Sequence, residues 1–311
     1  MEPKNYSKRD HGFVPLTTAL AKSYNQAAVR TGMEFGIDTF TKQLRRLGVK
    51  EEIPSYPSVL LGSVNLSPMD MLGVYQVFAT GGFRTPIHSI RTVIDDKGRI
   101  LQRTGLNTKR SIPPETNFLI NYALQGVVKE GTAKRIQSLG SNLNLAGKTG
   151  TTNDYRDAWF AGYSGNYVSV VWVGRDDNQS IGLSGGSGAL PVWEDYMRRL
   201  KLTPVSMPTP EGIEWLWLEN NSGKLSNERC PNARYLPVLA NYLPREASSC
   251  ALNIYEQDRA REQMAWQQEQ SRINNQRRQE GLDIPNSEVI EENNGTERRA
   301  DTWYERALEW F

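Results

Sequence analysis

Between Asn144 and Gly174 the sequence carries three strand-length runs in close succession, 144–151, 156–163 and 167–174. The second and third are rich in Val, Trp, Tyr and Phe, residues that suit a pleated surface. Only Ser164-Gly165-Asn166 separates those two, a spacer that calls for a tight hairpin. Strands joined so closely run antiparallel, because a parallel pair needs a crossover of about a dozen residues or more. The chain is thereby held to a meander, and its helices must pack around that meander.

Helical signals lie on both sides of it. Leu16, Leu20, Ala27, Val29 and Met33 recur at helical spacing over 16–35, and Gly36 ends the pattern. A short helix is predicted over 39–47, stopped by Gly48. Ser67 and Pro68 read as N-cap and first helical residue of a helix reaching Thr80, before Gly81-Gly82. Residues 87–103 read as a hairpin turning at Asp96-Lys97-Gly98, and Pro113-Pro114-Glu115 opens a helix to Lys129. A last helix, 191–200, follows the Gly-rich stretch 184–188. Helices first, then an antiparallel meander, then a helix describe an α+β fold, an antiparallel sheet flanked by helices, rather than alternating βαβ units.

Composition changes after Pro204. Residues 1–204 form the main predicted domain, and 205–255 are Pro-rich, turn-rich and carry both cysteines. Residues 256–300 are almost wholly polar and are expected to be disordered, in keeping with a mean hydropathy of −0.58 for the chain. Residues 301–311 then bring Trp303, Tyr304, Leu308, Trp310 and Phe311 together, an amphipathic stripe if helical. Such a segment either docks on its own domain or binds a partner, and Glu305 and Glu309 favour a protein over anionic lipid. Thirty-seven Lys and Arg against 35 Asp and Glu give a net charge of +2, which excludes a dedicated nucleic-acid binder. No apolar run reaches membrane-spanning length, and the first residues lack the apolar core of a signal peptide. Cys230 and Cys250 fit neither Cys-x-x-Cys nor a four-ligand zinc site, leaving unrelated thiols or one disulfide.

The motif with chemical content is Gly147-Lys148-Thr149-Gly150-Thr151-Thr152. A phosphate-binding loop is excluded: that motif needs a glycine where Asn142 stands and must run into a helix, whereas a turn and a strand follow. An ordinary polar turn is one remaining reading. The other is the Lys-Thr-Gly strand of serine acyl-transferases that act on D-Ala-D-Ala or β-lactams. There an ammonium and hydroxyls hold a substrate carboxylate, glycine admits close backbone approach, and a strand N–H helps to bind the oxyanion. The accompanying motif is Ser-x-Asn, and three candidates occur: Ser23-Tyr24-Asn25, Ser63-Val64-Asn65 and Ser164-Gly165-Asn166.

Ordered landmarks separate them. Asn5-Tyr6-Ser7-Lys8-Arg9, Ala19-Leu20-Ala21-Lys22-Ser23-Tyr24-Asn25, Leu60-Leu61-Gly62-Ser63-Val64-Asn65-Leu66-Ser67-Pro68 and Phe78-Ala79-Thr80-Gly81-Gly82 come first. Leu145–Thr152, Asp157-Ala158-Trp159-Phe160-Ala161-Gly162 and Trp172-Val173-Gly174-Arg175-Asp176 follow. Together they resemble class A penicillin-binding proteins, most of all the 1B type of Gram-negative bacteria, over residues 3–205. The resemblance implies a penicillin-binding/serine β-lactamase-like transpeptidase fold and the D,D-transpeptidase part of a bifunctional peptidoglycan synthase. It implies that Ser23 relays a proton, that Asn25 binds the substrate amide, and that Lys148 is the third-motif lysine. Thr149, Gly150, Thr151 and Thr152 would line the substrate site, with the Thr151 N–H in the oxyanion hole; Tyr24 takes no implied role. The resemblance also implies a Cys230–Cys250 disulfide, no metal and no cofactor, and stem peptides ending in D-Ala-D-Ala and β-lactams as ligands. The parent would be anchored in the inner membrane with this part on its periplasmic face, and 301–311 could meet a cell-wall protein.

One expected part is missing from these residues. The family's nucleophile lies in Ser-x-x-Lys, and no such tetrapeptide occurs in the 311 residues. The expectation is therefore a transpeptidase domain truncated at its N-terminus and inactive alone, because no acyl-enzyme can form without that serine. The alternative is a non-catalytic binding or regulatory remnant.

Overall fold

Ala158-Trp159-Phe160-Ala161-Gly162-Tyr163 is apolar on both faces, a pattern that suits a strand covered on both sides. In the computed structural model, which describes residues 3–281, this run is the central strand of a three-stranded antiparallel sheet. The chain divides into two compact units, residues 1–214 with 237–241 and residues 215–236 with 242–311.

The first unit opens with α1 (Leu16–Lys22), α2 (Asn25–Phe35), α3 (Ile37–Leu47) and α4 (Pro68–Ala79). A small ribbon of β1 (Phe83–Arg84) with β4 (Lys109–Arg110) brackets the hairpin of β2 (Thr92–Ile94) and β3 (Ile100–Arg103). Next come α5 (Pro114–Lys129), the meander β5 (Ala146–Thr151), β6 (Ala158–Tyr163) and β7 (Val168–Val173), and α6 (Ala189–Arg198). The strand order is β5–β6–β7, so β5 and β7 are its edges, with Lys148 opposite Ala161 and Phe160 opposite Val171.

Strand alternation assigns the core. On one face Phe160 meets Trp193 of α6 edge-to-face, ring centroids 5.0 Å apart, among Val127, Ile136, Leu190 and Met197. On the other face Tyr163 packs with Ala146, Leu124 and Val205, beside Tyr75 and Phe78 of α4. Each large apolar side chain buried here contributes about 1.5–3 kcal/mol. The polar atoms on this side are joined: Tyr163 Oη donates to Asn121 Oδ1 at 2.6 Å, and Asn121 Nδ2 donates to the Phe78 carbonyl at 3.0 Å. That knot ties the last turn of α4 to α5 and to the sheet. Glu194 of α6 does similar work on the opposite face, accepting from Arg135 at 2.6 Å, Ser138 at 2.7 Å and Arg198 at 2.7 Å.

The predicted helix over 16–35 is two helices, broken at Ser23-Tyr24. Ser23 ends α1 in the left-handed conformation without a glycine to signal it, so the apolar spacing runs on through the break; α1 buries Ala19 and Ala21, whereas no residue of α2 is buried. The segment predicted only as Pro-rich and turn-rich holds two paired strands, β8 (Ile213–Glu219) and β9 (Ala233–Leu239). In β8, Leu216 and Leu218 are buried and alternate with Trp215 and Trp217. Cys230 and Cys250 are joined by a disulfide, their Cα atoms 6.0 Å apart.

The polar stretch expected to be disordered from 256 is helical as far as Gln279, within α7 (Ser249–Gln279). Ser248 caps this helix through the Ala251 N–H at 3.2 Å, and Gln, Glu and Arg are good helix formers. Polarity removed the burial signal, not the helical propensity: of the 31 residues only Ala251 is buried. The remainder of that stretch, 282–300, and the amphipathic segment 301–311 lie outside the described residues. Among the described residues no helix is long and apolar enough to cross a membrane, and no group of His, Cys, Asp and Glu could hold a metal ion.

Candidate active site

The site begins at a corner between two helices. Lys22 closes α1, and Ser23 takes φ 59° and ψ 50°, its N–H donating to the Leu20 carbonyl at 3.1 Å. Tyr24 N–H returns to the Ala19 carbonyl at 2.9 Å, and Asn25 opens α2. Ser23 is a non-glycine residue at positive φ, and the turn carries its hydroxyl out of the helical register.

Across from that corner stands β5. Lys148 Nζ donates to Ser23 Oγ at 2.9 Å and to the Thr149 carbonyl at 3.0 Å. These two residues are 125 positions apart in sequence. Burial pulls the Lys148 ammonium from its ordinary value down to about 8, because the charged form loses hydration. A lysine in that range holds a proton near neutrality and can also release it.

A third strip of chain bridges the two walls. Lys22 Nζ donates to the Glu130 carbonyl. Thr132 N–H donates to the Ala21 carbonyl at 3.1 Å, and the Thr132 and Thr149 hydroxyls lie 2.8 Å apart. Gly131 is needed there: a Cβ would fall 2.2 Å from the Ala21 carbonyl oxygen and 2.7 Å from that of Val127. Gly185 has a similar role at the far end of β5. Its N–H donates to Thr151 Oγ1 at 2.9 Å, and a Cβ would meet the Gly150 carbonyl oxygen at 2.4 Å. Sequence reasoning named none of Gly131, Thr132 and Gly185. Gly131-Thr132 looks locally like the end of a helix, and the bonds that give it meaning are long-range.

Of the residues named from sequence, Ser23, Lys148 and Thr149 are linked by these bonds. Asn25 adjoins them on α2, with Nδ2 donating to the Lys4 carbonyl at 2.9 Å. That carbonyl is held in place by its neighbour. The buried Asn5 side chain donates to Gln26 Oε1 at 2.6 Å and accepts from the Gln26 N–H at 3.2 Å. Tyr24 stacks on His11, centroids 3.9 Å apart. Thr152 is set apart, its hydroxyl donating to Asp157 Oδ2 at 3.1 Å and accepting from the Asp157 N–H at 2.8 Å. Of the rejected motifs, Ser164 and Asn166 bond to each other in the β6–β7 turn, and Ser63 bonds to Ser58.

An ammonium, a serine hydroxyl and a threonine hydroxyl on an edge strand can hold an anion and move a proton. Residues 1–198 match the family described as the penicillin binding protein transpeptidase domain. Penicillin-binding protein 1B of Vibrio cholerae serotype O1 is 39% identical over 241 residues, which cover 77% of this chain and 31% of that protein. Penicillin-binding protein 1B of Escherichia coli K12 is 38% identical over 214 residues, 68% of this chain and 25% of that one. The chain thus spans under a third of the length of these relatives. The crystal structure of penicillin-binding protein 1A from Haemophilus influenzae superposes with a TM-score of 0.73 at 27% identity, covering 79% of this chain and 43% of that one. Motif geometry, matched residues and superposed fold agree: the chain belongs to the penicillin-binding protein transpeptidase family.

Proposed function

We propose that this chain is the C-terminal part of a D,D-transpeptidase domain, working in a membrane-anchored peptidoglycan synthase on the periplasmic face of the inner membrane. The observation that carries the reading is the 2.9 Å bond between Lys148 and Ser23. In this reading the serine of a Ser-x-x-Lys motif attacks the carbonyl of the penultimate D-alanine of a stem peptide. The lysine of that motif takes the attacking serine's proton, an ester forms, the C–N bond to the terminal D-alanine breaks, and the leaving nitrogen takes a proton from Ser23. Lys148 returns a proton to Ser23, which its pKa of about 8 permits near neutral pH. Asn25 binds the substrate amide, Thr149 and Lys148 its terminal carboxylate, and the Thr151 N–H the oxyanion. An amine of a second stem peptide then displaces the ester and completes the cross-link. β-Lactams enter as substrate analogues that stop at the ester.

The test is labelling by fluorescent penicillin. The 311-residue chain is expected to remain unlabelled. A longer polypeptide, in which this chain follows a segment supplying Ser-x-x-Lys, is expected to take the label and to lose it on Lys148→Ala. Label that survives denaturation on the 311-residue chain would overturn the assignment of roles. A folded but unlabelled longer polypeptide would leave a binding-only module.

A further inference from the structure

The bridge between the two walls of the cleft places a hydroxyl that no motif accounts for. Thr132 belongs to neither Ser-x-Asn nor Lys-Thr-Gly, yet it touches the residues around both. Its N–H is fixed on the carbonyl of Ala21, two residues before Ser23, at 3.1 Å. Its hydroxyl lies 2.8 Å from that of Thr149, next to Lys148. Gly131 leaves no freedom behind it, since even a methyl group would collide with the carbonyls of Ala21 and Val127. On the other side, Lys22 holds the Glu130 carbonyl. Thr132 is therefore pinned through its backbone while its side chain remains exposed to the cleft.

Two adjacent hydroxyls at 2.8 Å share one proton between them, so each constrains the direction of the other. One donates to its neighbour, and the neighbour's proton is then free to point outward. With Lys148 as the neighbouring residue of β5, the group this arrangement suits is an anion with two acceptor atoms, one for the outward O–H and one for the ammonium. We propose that Thr132 is a specificity-determining residue for the ligand's free carboxylate: its hydroxyl orients that of Thr149, so that the one free O–H of the pair points at the carboxylate. The proposal rests on the transpeptidase reading and deepens it by naming the part of the ligand that this loop selects.

The experiment uses the longer polypeptide bearing Ser-x-x-Lys, with acylation followed by intact mass. Two probes are compared, a penicillin and its carboxyl methyl ester. Thr132→Val keeps the shape and the backbone bond to Ala21 but removes the hydroxyl. Hydrogen bonds to charged groups predict a loss of about ten- to a hundredfold in acylation efficiency toward the free acid. Efficiency toward the ester is expected to be unchanged, and Thr132→Ser is expected to restore the acid to the wild-type level. A merely structural role would slow both probes alike, and that result overturns the proposal. So does an unchanged acid-to-ester ratio in Thr132→Val. Thr132→Ala, read the same way, covers the case in which the valine variant misfolds. If the wild-type polypeptide takes neither probe, the transpeptidase reading fails first and this proposal with it; a labelled wild type with an indifferent Thr132 sinks this proposal alone.

Discussion

Removing the Lys148 ammonium should make the protein's stability less dependent on alkaline pH, and by an amount the structure sets. In the folded chain burial lowers this group to about 8 from an ordinary 10.5. Folding therefore costs free energy wherever the unfolded lysine is charged, and the cost fades as pH rises through the interval between the two values. The sign is the reverse of a surface lysine that gains a partner: stability attributable to Lys148 increases with pH. Linkage gives an upper bound of about 2.5 kcal/mol relieved between about pH 7 and about pH 10. The side chain is only half-buried by accessible surface, so solvent screening reduces the expected relief to about 1–2 kcal/mol. The assay is chemical denaturation of the wild type and of Lys148→Met at both pH values. Other titrating groups cancel when the difference between the proteins is compared across pH. The wild type should gain on the variant by about 1–2 kcal/mol on going to the higher pH. A difference that stays constant with pH, or one that moves the other way, refutes the claim that the ammonium is held desolvated.

Three further outcomes are expected. Gly131→Ala should lose about 1–3 kcal/mol through collision with the Ala21 and Val127 carbonyls, and in the longer polypeptide it should slow penicillin labelling, measured by denaturant titration and gel fluorescence. Glu194→Gln should destabilise by about 1–3 kcal/mol at neutral pH, leaving Arg135 and Arg198 without a charge to pair. Burial pushes the Glu194 carboxyl up, but Ser138 and Arg135 prevail and hold it below its ordinary value, so the difference from wild type should vanish as acid protonates it. Replacing Cys230 and Cys250 by serine opens a loop with a sequence separation of 20, and should lower the unfolding free energy of the second unit by about 3 kcal/mol; equal melting of the oxidised protein and the variant would contradict this.

The sheet and most helices were legible because their signals are local. β6 is apolar at every position, the three-residue Ser-Gly-Asn spacer calls for a hairpin, and Ser67-Pro68 marks the start of α4. The end of α1 was not legible, because Ser23 breaks the helix with a conformation that glycine would have announced. α7 was hidden for the opposite reason, since a helix with almost nothing to bury shows no periodicity. At the site, Lys148 and Ser23 could be named from short motifs. Thr132 could not, because its relation to Thr149 and Ala21 exists only once α5 has returned the chain to β5.

The left-handed Ser23 has a consequence for which side chains its position can accept. Glycine would take φ 59° freely but would leave Lys148 the Thr149 carbonyl alone as acceptor. Threonine would keep an oxygen there, yet for a residue with a branched Cβ a positive φ is a genuine outlier. Alanine is small and unbranched but offers no oxygen, so it fails on that count alone. The backbone selects for small, unbranched residues and the lysine selects for an oxygen, and serine satisfies both demands. A library of every amino acid at position 23, sorted once for folding and once for penicillin labelling in the longer polypeptide, should therefore return two different sets of survivors with serine in their overlap.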